Sequence, residues 1–252
     1  MSSLAIASIM FTWVLLSTLG AMLIARRLPE HHLNAESRDV VKLGLGVIGT
    51  LTAMVLGLLI SATKGTYDTQ NNIVKELGAQ LGVLDRVLGQ YGSDASDARA
   101  AVHTLTQAVL EQLWPAQDIP VDFGWRPTKV AWETVFDGVA GLEPHTNAQT
   151  LLKSRAQDIL VGLSSIRQRL AVNSDRSIPS ALLIVLGVWQ AVLFAGFGLV
   201  APRNGTIFTV LVICMLSVSG ALFLVTELDR PFAGVVRISS APLRAVLSHL
   251  GE

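Results

Sequence analysis

Charged side chains are scarce in this chain, and their absence is concentrated in four places. Asp, Glu, Lys and Arg make up 15% of the 252 residues, whereas about 25% is usual for a soluble domain. None of these four residue types occurs in 1–25, 43–63, 177–202 or 204–226. Each gap holds the roughly 20 apolar residues that a helix needs to cross about 30 Å of hydrocarbon. This distribution predicts a multi-pass membrane protein.

Four transmembrane helices are expected, because backbone groups in lipid must form hydrogen bonds within their own segment. We interpret the first as an uncleaved helix and not a signal peptide, since it lacks a basic n-region and its apolar stretch is too long for an h-region. The helices are expected near Leu4–Ala25, Val40–Ala62, Ile178–Val200 and Thr206–Thr226. The predicted organisation is therefore helices 1 and 2 in 1–62, a polar insert in 63–177, helices 3 and 4 in 178–226, and a tail in 227–252.

The sequence also has no net charge, no second cysteine and no known catalytic motif, and these absences argue against particular functions and bonds. The net charge is zero, whereas nucleic-acid binding normally needs a basic surface. The single cysteine, Cys214, permits no intrachain disulfide, and its apolar surroundings predict a buried, inert thiol. No H-E-x-x-H, G-x-S-x-G or Walker A motif occurs, and His31-His32 is interpreted as a solvated loop. We expect no enzymatic activity, no catalytic residue, no cofactor and no metal site.

The stretch GLGVIG, Gly44–Gly49, matches the glycine pattern of dinucleotide-binding loops. That fingerprint needs a preceding strand and a following amphipathic helix, whereas residues 51–62 are apolar all round. The match is therefore attributed to chance. A second pattern overlaps it, since small residues recur at every fourth position and such stripes let membrane helices approach closely. The residues predicted for helix packing are Gly49, Ala53, Gly57 and Ser61.

Polar and small residues also share one face of the second helix. At about 100° per residue, five of them fall within a narrow sector. These candidate pore-facing residues are Thr50, Gly57, Ser61, Lys64 and Asp68. The alternative is that Lys64 extends to the lipid headgroups while the hydroxyl groups bond to their own backbone.

The insert has the periodicity of long amphipathic helices that pack as a coiled-coil-like bundle. No proline interrupts residues 30–114, so helix 2 is predicted to continue to about Tyr91. A short helix near Thr128–Leu142 would place Trp132, Val135, Phe136 and Val139 on one face. The predicted core positions are Val74, Leu77, Leu81, Leu84, Leu88 and Tyr91; Val102, Leu105, Val109 and Leu113 in a helix capped by Ser93 or Asp94; and Leu152, Ala156, Ile159, Leu163, Ile166 and Leu170.

The tail after helix 4 begins TELDRPF and allows two interpretations. Glu227, Asp229 and Arg230 either form an interfacial ion-pair cap, or they lead into a segment that docks on the insert. In the second case APLRAVLSHL, Ala241–Leu250, would be a short amphipathic helix.

Lysine and arginine near the spans indicate the orientation in the cell membrane. The insert side carries more of them than the opposite side, which predicts that the insert and both termini are cytoplasmic. Arg26 and Arg27 directly after the first helix favour the opposite orientation, because the first helix often dominates.

Three stretches resemble the bestrophin-like family of bacterial membrane proteins, a domain of unknown function. They are RRLPEHHLNAESRDVVKLGLGVIGTLTAMVLGLLISATKGTYDTQ (Arg26–Gln70), LDRVLGQYG (Leu84–Gly92) and ELDRPFAGVVRISSAPLRAVL (Glu227–Leu247). The family is distantly similar to bestrophins, which are homopentameric anion channels with a cytosolic domain and a pore formed by the second helix. The bestrophin neck aromatics and acidic calcium clasp have no counterpart in this sequence, so the resemblance assigns no pore or calcium residue.

The sequence thus predicts an all-α membrane protein with four transmembrane helices and a helical insert between helices 2 and 3. The expected function is that of an integral membrane homo-oligomer forming an ion channel, for anions by resemblance, with helix 2 nearest the pore axis. Its expected partners are the lipid bilayer, further copies of the chain (a pentamer by resemblance) and small ions. The alternative is a non-conducting scaffold or sensor that binds a partner through its helical insert.

Overall fold

A computed structural model describes residues 2–27, 29, 35–115, 128–174, 178–202 and 204–250. His31-His32 lies outside these residues. All regular structure in the described ranges is helical, which confirms the all-α fold class. The helices are α1 Ser3–Ala25, α2 Ala35–Tyr91, α3 Ser96–Leu113, α4 Lys129–Ala140, α5 Asn147–Ser174, α6 Ser180–Val200, α7 Gly205–Leu228 and α8 Ala241–His249, with a short 3₁₀ turn at Ser93–Ala95 before α3.

The chain forms two compact units. The first comprises Met1–Gly65 and Ser177–Asp229, and the second comprises Thr66–Arg176 and Arg230–Glu252. The long helix α2 contributes residues to both units. Its length confirms the prediction that helix 2 continues without a break to Tyr91, where Gly92 ends it with a φ of 112°. Such a positive φ is accessible to glycine at little cost.

The first unit contains the four helices that are long and apolar enough to cross a membrane. These are Ser3–Ala25, the apolar part of Ala35–Tyr91, Ala181–Val200 and Gly205–Leu228. All four agree with the spans expected from the charge-free gaps. Asn204 caps α7, because its side chain accepts a hydrogen bond from the Ile207 amide at 2.9 Å.

Interhelical hydrogen bonds and close backbone approaches join α1 to α6. Trp13 Nε1 donates to the Gly187 carbonyl at 3.3 Å, and Ser17 Oγ donates to the Ala191 carbonyl at 2.9 Å. Gly198 of α6 faces the backbone of Thr18 so closely that a Cβ there would lie 2.7 Å from the Thr18 carbonyl oxygen. Small residues therefore let these two membrane helices pack backbone to backbone.

The second unit has one hydrophobic core built from α2, α3, α4, α5 and the tail. Leu152 is half-buried, and every other core position predicted from the periodicity is buried. In α4, Trp132, Val135 and Val139 are buried as expected, whereas Phe136 is exposed. The α3 helix begins at Ser96 after the 3₁₀ turn, so neither Ser93 nor Asp94 is its cap.

The tail packs on this core, which confirms the docking interpretation. Trp114 Nε1 donates to the Ile238 carbonyl at 2.8 Å, and the Trp114 ring meets Phe232 edge-on with centroids 5.7 Å apart. Leu243 of α8 is fully buried in the same core. The segment APLRAVLSHL thus forms a helix whose apolar side contacts the bundle.

The prediction for Cys214 is wrong, because its side chain is exposed on α7. A membrane helix is apolar on its outer face as well as on its packed face. An apolar run therefore does not indicate which of its side chains are buried in the protomer.

Candidate functional site

The apolar half of α2 buries only one of its faces in the first unit. Leu45, Thr52, Leu59 and Thr63 are buried, and at about 100° per residue they lie on one side of the helix. Gly49 sits at the border of this face, where a Cβ would contact Leu193 of α6 at 3.5 Å. The packing against α6 therefore fixes which way the rest of α2 points.

The candidate pore-facing residues lie opposite that buried face. Thr50, Gly57, Ser61 and Lys64 are exposed in the protomer, and Asp68 is half-buried. The Thr50 hydroxyl donates to the Gly46 carbonyl at 2.9 Å, so its proton is used within the helix. Its oxygen remains available as an acceptor.

Three of the four residues predicted for helix packing are exposed as well. Ala53, Gly57 and Ser61 face outward, and a Cβ at Gly57 would meet no atom within 4 Å. Only Gly49 packs within the protomer. If this stripe packs closely against another helix, that helix is not among the described helices of the same protomer.

A second, apolar sector adjoins the small and polar one on the exposed side of α2. Val47, Met54 and Leu58 have 61%, 74% and 71% of their surface exposed. At about 100° per residue these side chains lie next to Thr50 and Ser61. The exposed side therefore carries an apolar sector, which needs lipid or protein against it, beside a sector of small and polar groups.

Two buried polar side chains of the first unit were not singled out from the sequence. Thr52 on α2 and Gln190 on α6 are both buried, and the Gly49–Leu193 contact places them one turn further along the same helix pair. Thr52 donates to the Ile48 carbonyl at 2.7 Å, whereas Gln190 Oε1 has no hydrogen-bond partner among the described residues. Gln190 is the single amide side chain in the four expected spans, and polar residues within membrane spans are rare.

Two charged groups of the second unit were also missed. Arg99 of α3 forms a two-point ion pair with Asp85 of α2, with Nε–Oδ1 and Nη2–Oδ2 distances of 2.9 Å. This hydrogen bonding raises the pKa of Arg99 above its ordinary value. The Arg167 guanidinium lies 5.0 Å from the centroid of the Trp132 ring, and burial lowers its pKa. Their roles depend on partners distant in sequence, so periodicity alone gives no signal for them.

No group of three or more His, Cys, Asp or Glu side chains that could hold a metal ion occurs within the described ranges. The candidate pore-facing residues of α2 carry small side chains, hydroxyl groups and two charged groups. Such groups can line a path for ions or pack helices against each other.

These helices define an all-helical membrane protein with four membrane-length spans. The family model described as Bestrophin-like domain matches residues 12–243. The chain therefore belongs to the Bestrophin-like family, as the resemblance of its three sequence stretches predicts.

Comparison with solved structures gives the same fold. A single-substitution variant of a bacterial bestrophin homologue from Klebsiella pneumoniae has 17% identity and a TM-score of 0.72, with 99% of this chain and 97% of that chain covered. The bacterial bestrophin homologue from Klebsiella pneumoniae phased with zinc has 16% identity, a TM-score of 0.67 and coverages of 95% and 96%. A protein described only as a membrane protein has 18% identity, a TM-score of 0.68 and the same coverages. A comparison with curated proteins found no match.

Proposed function

We propose that this chain is the subunit of a homo-oligomeric anion channel in which α2 lies nearest the pore axis. The observation that carries the proposal is the orientation of α2. Its buried face packs on α6. On the opposite face, the exposed residues of the protomer include Thr50, Gly57, Ser61 and Lys64. Membership of the Bestrophin-like family and a fold like that of bacterial bestrophin homologues support it.

The two sectors of the exposed side suit two different surroundings. Small side chains at Gly57 and Ser61 let several copies of α2 approach a common axis while leaving room between them. The large apolar groups at Val47, Met54 and Leu58 would then contact neighbouring copies or lipid. A ring of identical helices meets both requirements, because each copy presents the same two sectors.

The charge at one end of the apolar stretch favours anions. Lys64 follows the last apolar turn of α2 on the proposed pore-facing side. In a ring of subunits, this residue gives a ring of cations, which is a common selectivity element in anion pores. Asp68, one turn further on, is partly buried and would contribute less to the field at the axis.

The channel is expected in the cell membrane with its insert and both termini in the cytoplasm. This orientation follows the larger number of lysine and arginine residues on the insert side of the spans. Its partners would be the bilayer, further copies of the same chain and small ions. A pentamer is the stoichiometry that the bestrophin resemblance implies.

Two measurements on the wild-type protein test the proposal. Light scattering on the detergent-solubilised protein should give the mass of an oligomer, and proteoliposomes loaded with chloride should release it faster than empty liposomes. A monomer that gives no chloride efflux would contradict the proposal. An oligomer without efflux would favour the alternative, a scaffold or sensor that binds a partner through its insert.

A further inference from the structure

The second unit contains a groove of about 750 Å³ between α2 and α8. This volume lies within the roughly 300–1,000 Å³ of small-molecule binding sites. One wall is a strip on one face of α2, formed by residues that are four positions apart. The other wall is the C-terminal half of α8. The strip consists of Gly78, Gly82, Arg86 and Gln90, with Gly89 and Arg99 beside it.

Glycines create the apolar part of this groove. A Cβ at Gly78 would lie 3.6 Å from Leu243 Cδ1, and a Cβ at Gly82 would lie 3.8 Å from Val246 Cγ1. α8 therefore packs directly on the glycines of α2, and the open part of the groove lies alongside Gly82, Val83 and Val246. Larger side chains at Gly78 or Gly82 would fill it.

The direction of α8 brings polar groups together at the other end of the groove. Leu243 lies beside Gly78 and Val246 beside Gly82, so the two helices run the same way. His249 at the end of α8 therefore lies level with Arg86, and both residues line the groove with Gln90 and Arg99.

The polar end carries a positive charge with which no described residue forms an ion pair. Arg99 uses Nε and Nη2 to bind both oxygens of Asp85, so this pair is neutral and occupied. Arg86 has no hydrogen bond or ion pair with any described residue, and it is exposed. Gln90, one turn further along the same strip, is exposed as well. A guanidinium and an amide one turn apart can donate together to a phosphate or carboxylate.

We propose that this groove binds a soluble organic anion: a phosphate or carboxylate group on a compact apolar body. The anionic group contacts Arg86 and Gln90, and the apolar body lies in the open part of the groove, along Gly82 and Val83 beside Val246. The fixed Asp85–Arg99 pair forms the floor of the polar end. Ligand binding here does not depend on whether the assembled protein conducts ions.

Calorimetric titration of the full-length protein tests this site. The protein is placed in nanodiscs of zwitterionic lipid and titrated with phenyl phosphate. Separate titrations use its two fragments: phenol, which is the apolar body alone, and inorganic phosphate, which is the anionic group alone. Phenyl phosphate should bind more tightly than either fragment. Because charge-assisted hydrogen bonds are strong, Arg86→Gln should weaken binding by about tenfold or more. Gly82→Leu should abolish it by filling the groove.

Matched controls separate the groove from general effects. Arg155→Gln removes an exposed arginine of α5, and Gly162→Leu changes a glycine of α5 that has open space around it. Both should bind phenyl phosphate like the wild type. If Gly82→Leu does not fold, Arg86→Gln decides, because Arg86 is exposed and its replacement leaves the core intact.

Three outcomes would overturn the proposal. One is the absence of binding heat above that of empty nanodiscs, and another is unchanged affinity in Arg86→Gln. The third is loss of phenyl phosphate binding in nanodiscs that contain phosphatidylglycerol, which would assign the groove to a lipid headgroup and not to a soluble anion.

Discussion

Replacing Gly198 with alanine should weaken the packing of α1 on α6. The new Cβ would lie 2.7 Å from the Thr18 carbonyl oxygen and 3.3 Å from Ala21 Cβ. The first contact is with backbone, so rotation of a side chain cannot relieve it and the helices must move apart. That movement would lengthen the hydrogen bond from Trp13 to the Gly187 carbonyl, which is already 3.3 Å long.

A matched variant isolates this effect from helix propensity. Gly220 of α7 is also a helical glycine of the first unit, but a Cβ there would meet no atom within 4 Å. Alanine raises intrinsic helix stability by up to about 1 kcal/mol over glycine at either position. Overpacking costs about 1–3 kcal/mol, so Gly198→Ala should be less stable than Gly220→Ala by that amount.

Unfolding of both variants in detergent, followed by tryptophan fluorescence, measures the difference. Trp13 reports directly on the affected interface because it bonds to α6. Gly196→Ala should fall between the two variants, since its Cβ would meet the buried Leu45 side chain, which can rotate, and not backbone. Equal stability of Gly198→Ala and Gly220→Ala would refute the close packing described for α1 and α6.

Two further substitutions probe buried polar groups. Asp85→Asn should destabilise the second unit by about 1–2 kcal/mol in chemical unfolding, because charged hydrogen bonds are worth about 1.5–3 kcal/mol and the Arg99 side chain is 25% exposed. Glu133→Gln is the control, because it breaks the ion pair with Lys129 in which both side chains are 58% exposed. It should change the free energy of unfolding little; equal losses of stability in the two variants would contradict the argument. Gln190→Met should stabilise the first unit by about 1 kcal/mol in the same assay, because it removes a buried amide oxygen without a partner. A loss of stability would mean that the amide is satisfied in the native protein.

The helices could be predicted from sequence because their signals are local. Charge-free gaps gave the four spans, and a spacing of three and four residues gave the core of the second unit. The continuity of α2 to Tyr91 followed from the lack of proline. Each of these features depends on residues within a few turns of one another.

The remaining features depend on which elements meet in space. Cys214 and Phe136 lie in apolar patterns, yet both are exposed, because none of the described helices covers their positions. The groove beside Arg86 exists because α8, more than 150 residues further along the chain, packs on the glycine strip of α2. No periodicity within α2 predicts that neighbour.

Chloride efflux from proteoliposomes that contain Gly57→Leu, compared with Gly220→Leu, tests most directly whether α2 forms the conduction path. Both positions are exposed helical glycines with open space around them in the protomer, so neither change should disturb the fold. If the small-residue face of α2 surrounds the pore axis, Gly57→Leu should lose most of the efflux while Gly220→Leu retains it. Wild-type efflux through Gly57→Leu would contradict the placement of α2 at the pore.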